Sequence, residues 1–241
     1  METANLLVID IETVPQCRSY EALPPALQKH WDRKSTLLDP QEEDKAKTFL
    51  LRAGVYAEFA KIICIGLGYF TGTEEATTLH VKTLHGDDER DLLQQFYELS
   101  TRFFSKPGRQ FCGHNIREFD IPFLCRRFLV NRLPLPAILK NLQSRKPWEN
   151  PMLDTLQYWK FGEYKNFTSV DLLAALLEVE SPKQDMDGSE VGYVYWQEAQ
   201  IERIARYCSR DVVAVAQIYQ RLNGRPLLDQ NKIIFADTNH S

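Results

Sequence analysis

The segment that most limits the fold is the first apolar run, Asn5-Leu-Leu-Val-Ile-Asp-Ile-Glu-Thr13. Its branched side chains are contiguous rather than alternating, the pattern of a central strand covered on both faces, so other layers must wrap around it. Yet Asp10 and Glu12 sit inside that run, two residues apart, and leave the same face of the strand. Two acids in a central strand are costly unless something pairs with them, and a hard divalent cation held by carboxylate oxygens is the usual partner. The other reading is a strand end hydrated by water. Asp87-Asp-Glu89 repeats the spacing at a helix start and needs no metal.

Around this strand the pattern alternates. Ile62 to Phe70 and Thr77 to Leu84 read as two strands joined at Thr71-Gly72-Thr73, running antiparallel. A helix from Asp87 carries Leu92, Phe96, Leu99 and Phe103 on one face, and Lys106-Pro-Gly108 ends it before a fourth strand at Gln110 to Gly113. A helix with Phe119, Phe123, Leu124 and Phe128 closes near Pro134, and a short fifth strand or a cap is expected between Pro151 and Leu156. Thr168-Ser-Val-Asp171 resembles a capping box for a Leu-rich helix to Val179. A polar loop from Ser181 to Gly192 leads to the last long helix, whose Ile201, Ile204, Cys208, Val212, Val215 and Tyr219 form one stripe. Early strands followed by alternating strand and helix give an α/β fold, a mixed five-stranded sheet flanked by helices. We expect one domain over 1–241. Gln16 to Lys61 forms a polar helical insertion after the first strand, with its Glu42-Glu-Asp-Lys45 run as a solvated face, and acts as a lid in one reading. Residues 229–241 are expected to form a polar tail.

Composition narrows the class. With 241 residues, 44% hydrophobic and 26% charged, the chain can bury a sizeable core, which excludes collagen-like, coiled-coil and largely disordered proteins. The longest apolar run, Ile62 to Phe70, is too short to span a bilayer, and the first residues lack the basic and apolar regions of a secretory signal, so a cytoplasmic location without membrane contact is expected. Five cysteines without a Cys-x-x-Cys pair read as buried reduced thiols. The net charge of −4 does not advertise a nucleic-acid binder, but the segment from Arg117 to Lys146 is +5 against −9 for the remainder, compatible with an anionic ligand.

Two further acidic elements follow in order. Asn115-Ile-Arg-Glu-Phe119-Asp120 sits where the fourth strand gives way to a helix, and taken alone Asp120 is an ordinary helix N-terminal acid. Tyr207-Cys-Ser-Arg-Asp211 is the only Tyr-x-x-x-Asp in the chain, and its i, i+4 spacing sets phenol and carboxylate side by side. Taken alone it is also compatible with a tyrosine bonded to a helix-surface acid. As an ordered set, Asp10-x-Glu12, Asn115-x-x-x-Phe119-Asp120 and Tyr207-x-x-x-Asp211 resemble the three motifs of the DEDD superfamily of 3′→5′ exonucleases, which have a ribonuclease H-like fold. Arg206 rather than histidine five residues before Asp211 matches the tyrosine subtype. Gln184 to Val191 followed by Ile201 to Asp211 is similar to the stand-alone bacterial group related to the proofreading exonuclease domain of family-B DNA polymerases.

The resemblance implies hydrolysis of single-stranded DNA from its 3′ end to nucleoside 5′-monophosphates, with two divalent ions, Mg2+ or Mn2+, as cofactors. Two ions about 3.5–4 Å apart can generate the nucleophile on one side of a phosphodiester and neutralise the leaving oxygen on the other. By the same resemblance Asp10 bridges the ions, Glu12 and Asp211 complete the first site, and Asp120 serves the second directly or through water. Tyr207, with an ordinary pKa of about 10, is a poor base and is assigned to orienting the attacking water. Asn115 and Phe119 are placed on the terminal nucleotides by hydrogen bonding and stacking, with Phe119 equally able to be core. Thr13 is placed on the terminal sugar, and Lys183 with the Asp185-Met-Asp-Gly188 loop along the strand's path. His114 and Asp154 read as structural, Asp154 through the capping pattern Asp154-Thr-Leu-Gln157. Two other readings stand beside this one. The first is an RNA-trimming exonuclease of the same fold, and the second is a catalytically silent nucleic-acid-binding scaffold.

Overall fold

A computed structural model describes residues 3–73, 76–146, 149–165, 167–182 and 186–236. Its centre is β1 (Leu6–Pro15), which pairs antiparallel with β2 (Ala60–Thr71) on one side and parallel with β4 (Gln110–Gly113) on the other. Outside these lie β3 (Thr78–His85), antiparallel to β2, and β5 (Met152–Asp154), parallel to β4. The sheet holds a sixth strand, β6 (Ile233–Phe235), parallel to β3, so the order is β5-β4-β1-β2-β3-β6 rather than five strands. β6 comes from the segment expected to be a tail. Its Ile233-Ile-Phe235 is short and follows a polar Asp229-Gln-Asn-Lys232, and it becomes a strand because the edge of β3 offers unpaired backbone groups.

Helices cover both faces, which is why β1 is apolar without alternation. Leu7, Ile9 and Ile11 pack against Leu92, Leu93 and Phe96 of α3 (Glu89–Phe103) and Phe123, Leu124 and Phe128 of α4 (Asp120–Val130). On the other face Leu6 and Val8 meet Val212, Val215 and Tyr219 of the last helix, Ile201–Leu222. Two glycines of β2 set how closely that helix lies. A Cβ on Gly66 would stand 2.8 Å from Cys208 Sγ and from Val212 Cγ2, and one on Gly68 would stand 2.7 Å from Val212 Cγ1. Gly66 pairs with Asp10 across the ladder, so the same close approach brings the helix onto the acidic end of β1.

The segment after β1 is helical, as its composition suggests. α1 (Pro25–Leu38) and α2 (Lys45–Arg52) bury Leu23, Trp31, Phe49, Ala53 and Phe59 in a small core of their own. Asp44 caps α2 by accepting from the amides of Ala46 and Lys47. Two short helices follow β5. These are α5 (Thr155–Lys160), capped by Asp154, and α6 (Val170–Leu176), capped by Ser169, whose side chain accepts from the amide of Leu172. The end of the expected polar loop is helical. α7 (Val191–Tyr193) runs into a π-helical turn, Val194–Glu198, and Ala199 in a left-handed conformation breaks it before the last helix, α8. Among the described residues, no helix is long and apolar enough to cross a membrane.

Candidate active site

The acids of β1 sit where the strand becomes irregular: the ladder to β2 slips between Glu12 and Thr13. Asp10 and Glu12 leave the face covered by α8, while Ile9 and Ile11 go to the other core. Asp120, 109 residues further on, opens α4, and its Oδ1 accepts from the amide of Ile11 at 3.1 Å. That bond, from the residue between the two β1 acids, fastens the second acidic element to the first. Tyr207, Cys208 and Asp211 share one face of α8. The Tyr207 phenol is hydrogen-bonded to Asp211, and Cys208 Sγ is 3.4 Å from Asp10 Oδ2.

The electrostatics show how near these groups are. Burial pushes the Asp10 carboxyl well above the usual range, and the charges of Asp211 and Asp120 push it further. Glu12 is raised in the same way by burial, then by Asp10 and Asp211. Asp120 rises to about 7, again chiefly through burial; its own amide and that of Ile11 oppose the rise, and Asp154 and Asp211 add to it. Burial and the neighbouring carboxylates raise the Tyr207 phenol above its ordinary range, so it holds its proton at neutral pH and is a donor rather than a base. The four carboxylates therefore converge on one another. Glu12 is 8% exposed, and no protein group among the described residues donates a hydrogen bond to its carboxylate. A buried carboxylate in that state either takes a proton or takes a cation. Oxygen-rich donors of this kind suit a hard divalent ion.

The remaining sequence candidates divide. Thr13 spends its hydroxyl on the carbonyl of Gly54 at 2.7 Å, tying β1 to the inserted helices. Asn115 is left-handed, its amide donates to Asp154 Oδ1 at 2.9 Å, and its own Oδ1 is buried with no partner among the described residues. Phe119 belongs to both of its readings: the ring packs 5.4 Å from Phe123, and it also lines the cleft beside Glu12. Lys183 and Asp185 lie outside the described residues. His114 is held by Thr155 Oγ1 at 2.9 Å and the Thr168 carbonyl at 2.7 Å, a bracing role. Asp154 caps α5 and also receives the amides of Asn115 and Arg117, so it shapes the turn that delivers Asp120.

Two features escape the motif pattern. One is Cys208, which reads from sequence as part of the apolar stripe; its position between Tyr207 and Asp211 is the signal that it faces the acids. The other is the cleft, a cavity of 640 Å3 with Glu12 and Thr13 on one wall and Leu50, Leu51 and Val55 of the insertion on another. Gly188, Ser189 and Gly192 close its third side.

A mixed sheet of this order, with helices on both faces and two carboxylates on its central strand, has the ribonuclease H-like architecture expected from the sequence. Residues 55–225 match the family described as predicted 3′-5′ exonucleases related to the exonuclease domain of PolB, and the chain belongs to that family. The match begins beyond Asp10 and Glu12, which the fold places beside the matched acids. Among solved structures, the family B DNA polymerase from the hyperthermophilic archaeon Pyrobaculum calidifontis is similar, with a TM-score of 0.56 and 16% identity. The similarity covers 90% of this chain and 24% of that one, so this chain spans about a quarter of the polymerase. No curated protein sequence matches it.

Proposed function

We propose that this protein is a divalent-metal-dependent 3′→5′ exonuclease that removes nucleoside 5′-monophosphates from single-stranded DNA ends, working as one domain with residues 16–61 as a wall of its cleft. The observation that carries the reading is Glu12: a carboxylate buried beside Asp10, within the field of Asp120 and Asp211, and without a donor among the described residues. Asp10, Glu12, Asp120 and Asp211 are the residues that would hold the ions. Bound there, divalent ions supply Lewis acidity, activating water and neutralising charge on the phosphodiester. The protein's own groups do the positioning. Tyr207, kept protonated with its O–H on Asp211, offers its phenol oxygen to a hydrogen bond from the attacking water and so orients it. Phe119 offers a face for stacking the terminal base, and Leu50, Leu51 and Val55 line the same cleft. Asn115 Oδ1, buried and without a partner among the described residues, would accept from a donor on the terminal nucleotide. Thr13 supports the same place indirectly, through Gly54, rather than by a free hydroxyl. The relation to a DNA polymerase's exonuclease domain favours DNA over RNA.

The test offers 5′-labelled single-stranded DNA and RNA with magnesium, manganese or chelator, to the wild type and to Asp211→Ala. A ladder shortening one nucleotide at a time from the 3′ end of DNA, lost with chelator and in the variant, is the expected result. Digestion of RNA alone replaces the substrate, and binding without cleavage overturns the enzyme reading.

A further inference from the structure

Hard ions and carboxylate oxygens account for the acids but not for the sulfur among them. Cys208 is fully buried on α8, and its Sγ lies 3.4 Å from Asp10 Oδ2 and 3.8 Å from the Asp10 carbonyl oxygen. Cys64, the ladder partner of Glu12, lies beside it. One oxygen of Asp10, one of Glu12 and Cys208 Sγ all lie within 4.8 Å of one another. Glu12, nine-tenths buried and without a hydrogen-bond donor among the described residues, is a further sign that this spot is shaped for a cation. The route in is open, since Asp10 is partly exposed and Glu12 lines the 640 Å3 cleft.

We propose that Asp10, Glu12 and Cys208 form a mixed oxygen–sulfur site for a thiophilic divalent ion of the zinc and cadmium class. A tetrahedral ion with bonds of about 2.3 Å to sulfur and about 2.1 Å to oxygen holds S and O roughly 3.6 Å apart. The Cys208–Asp10 separation already has that value within a few tenths of an ångström, and the Glu12 oxygen, within 4.8 Å of both, need close by no more than roughly 1–1.5 Å, within the reach of a side-chain rotation. Coordination replaces the thiol proton, which leaves to solvent, and a water fills the fourth position. Thiolate raises affinity for such ions far more than for magnesium, whose preferences are oxygen and octahedral. The site therefore retains a soft ion in competition with the hard ones; that consequence, though not the site itself, rests on the functional reading above.

The test needs no nuclease assay. Cadmium alone is titrated into the full-length, metal-free protein under reducing conditions, and thiolate-to-cadmium charge transfer is followed in the near ultraviolet. One equivalent should give the band. In Cys208→Ser the band should vanish and the affinity should fall by more than the roughly 10–100-fold that loss of a supporting outer partner costs. In Cys64→Ser the band should remain. A band that survives Cys208→Ser, or no band in the wild type, overturns the proposal. Should the serine variant fail to fold, zinc K-edge absorption on the wild type with one equivalent of zinc decides. One sulfur in the coordination shell supports the site, and an all-oxygen shell or two or more sulfurs overturns it. A protein that binds cadmium through Cys208 but cleaves no DNA with magnesium keeps this site and loses the exonuclease reading; cleavage without the band does the reverse.

Discussion

Two buried glutamates, on opposite faces of the sheet, are treated in opposite ways. Glu89, at the start of α3 and 7% exposed, receives Nε and Nη2 of Arg127 at 2.8 and 2.7 Å, Asn131 Nδ2 at 2.8 Å and the amide of Ile62 at 2.8 Å. Arg127 in turn donates to the Ala57 carbonyl at 2.8 Å. Glu12 is buried to the same degree and receives none of this from the described residues; the charges that act on it most strongly are other carboxylates. The contrast teaches that this fold has the means to neutralise a buried acid with its own groups and does not use them at Glu12. Equal burial with opposite provision separates a structural ion pair from a place kept for a cation.

The comparison can be broken from either side. The largest effect is expected on catalysis. Asp10→Asn or Glu12→Gln should lower kcat on single-stranded DNA by about 10^3 or more, because a metal supplies several kcal/mol of transition-state stabilisation. The same substitutions should leave the far-ultraviolet circular dichroism unchanged. Next is Arg127→Met, which strands Glu89 and should cost about 3–5 kcal/mol in urea unfolding. Finding Arg127→Met neutral and Glu12→Gln strongly destabilising would invert the contrast.

A smaller effect sharpens it. Glu12→Gln removes the cost of burying an unpaired acid that must take a proton when no cation is present, so in chelator its melting temperature should rise by about 2–4 °C, as roughly 1 kcal/mol does in a chain of this length. Added magnesium should then raise the wild type more than the variant. The smallest is a pH effect. The folded-state pKa of Asp120, about 7, lies above its ordinary value, so its contribution is fully present below about pH 4 and is lost as pH rises through 7. The metal-free protein should accordingly melt lower at pH 8 than at pH 5.5, and Asp120→Asn should flatten that slope.

Much of this was legible in the sequence, for physical reasons. β1, β2, β3, α3 and α8 carry long, strongly periodic apolar patterns, and the ordered acids mark where they meet. What escaped was short or depended on tertiary partners. β6 has three residues and exists because β3 offers an edge. Arg127 belongs to a basic segment that suggested a surface for anions, yet it is buried against Glu89, a pairing of residues 38 apart that periodicity does not encode. Cys208 has the composition of a core residue, and only the close approach allowed by Gly66 puts its sulfur on Asp10.

The parallel pairing of β6 with β3 reaches Leu79, His80 and Val81, and the Ala236 amide adds a bond to the Val81 carbonyl. Cutting the chain after Leu228 would spare the acids and most of the cleft, and would look harmless to an enzymologist. It would also uncover a row of unsatisfied amides and carbonyls on the flank of the sheet, an invitation for one molecule to zip onto another. Trimming at the carboxyl end should therefore show itself first as turbidity in the tube and only afterwards, if at all, as lost turnover.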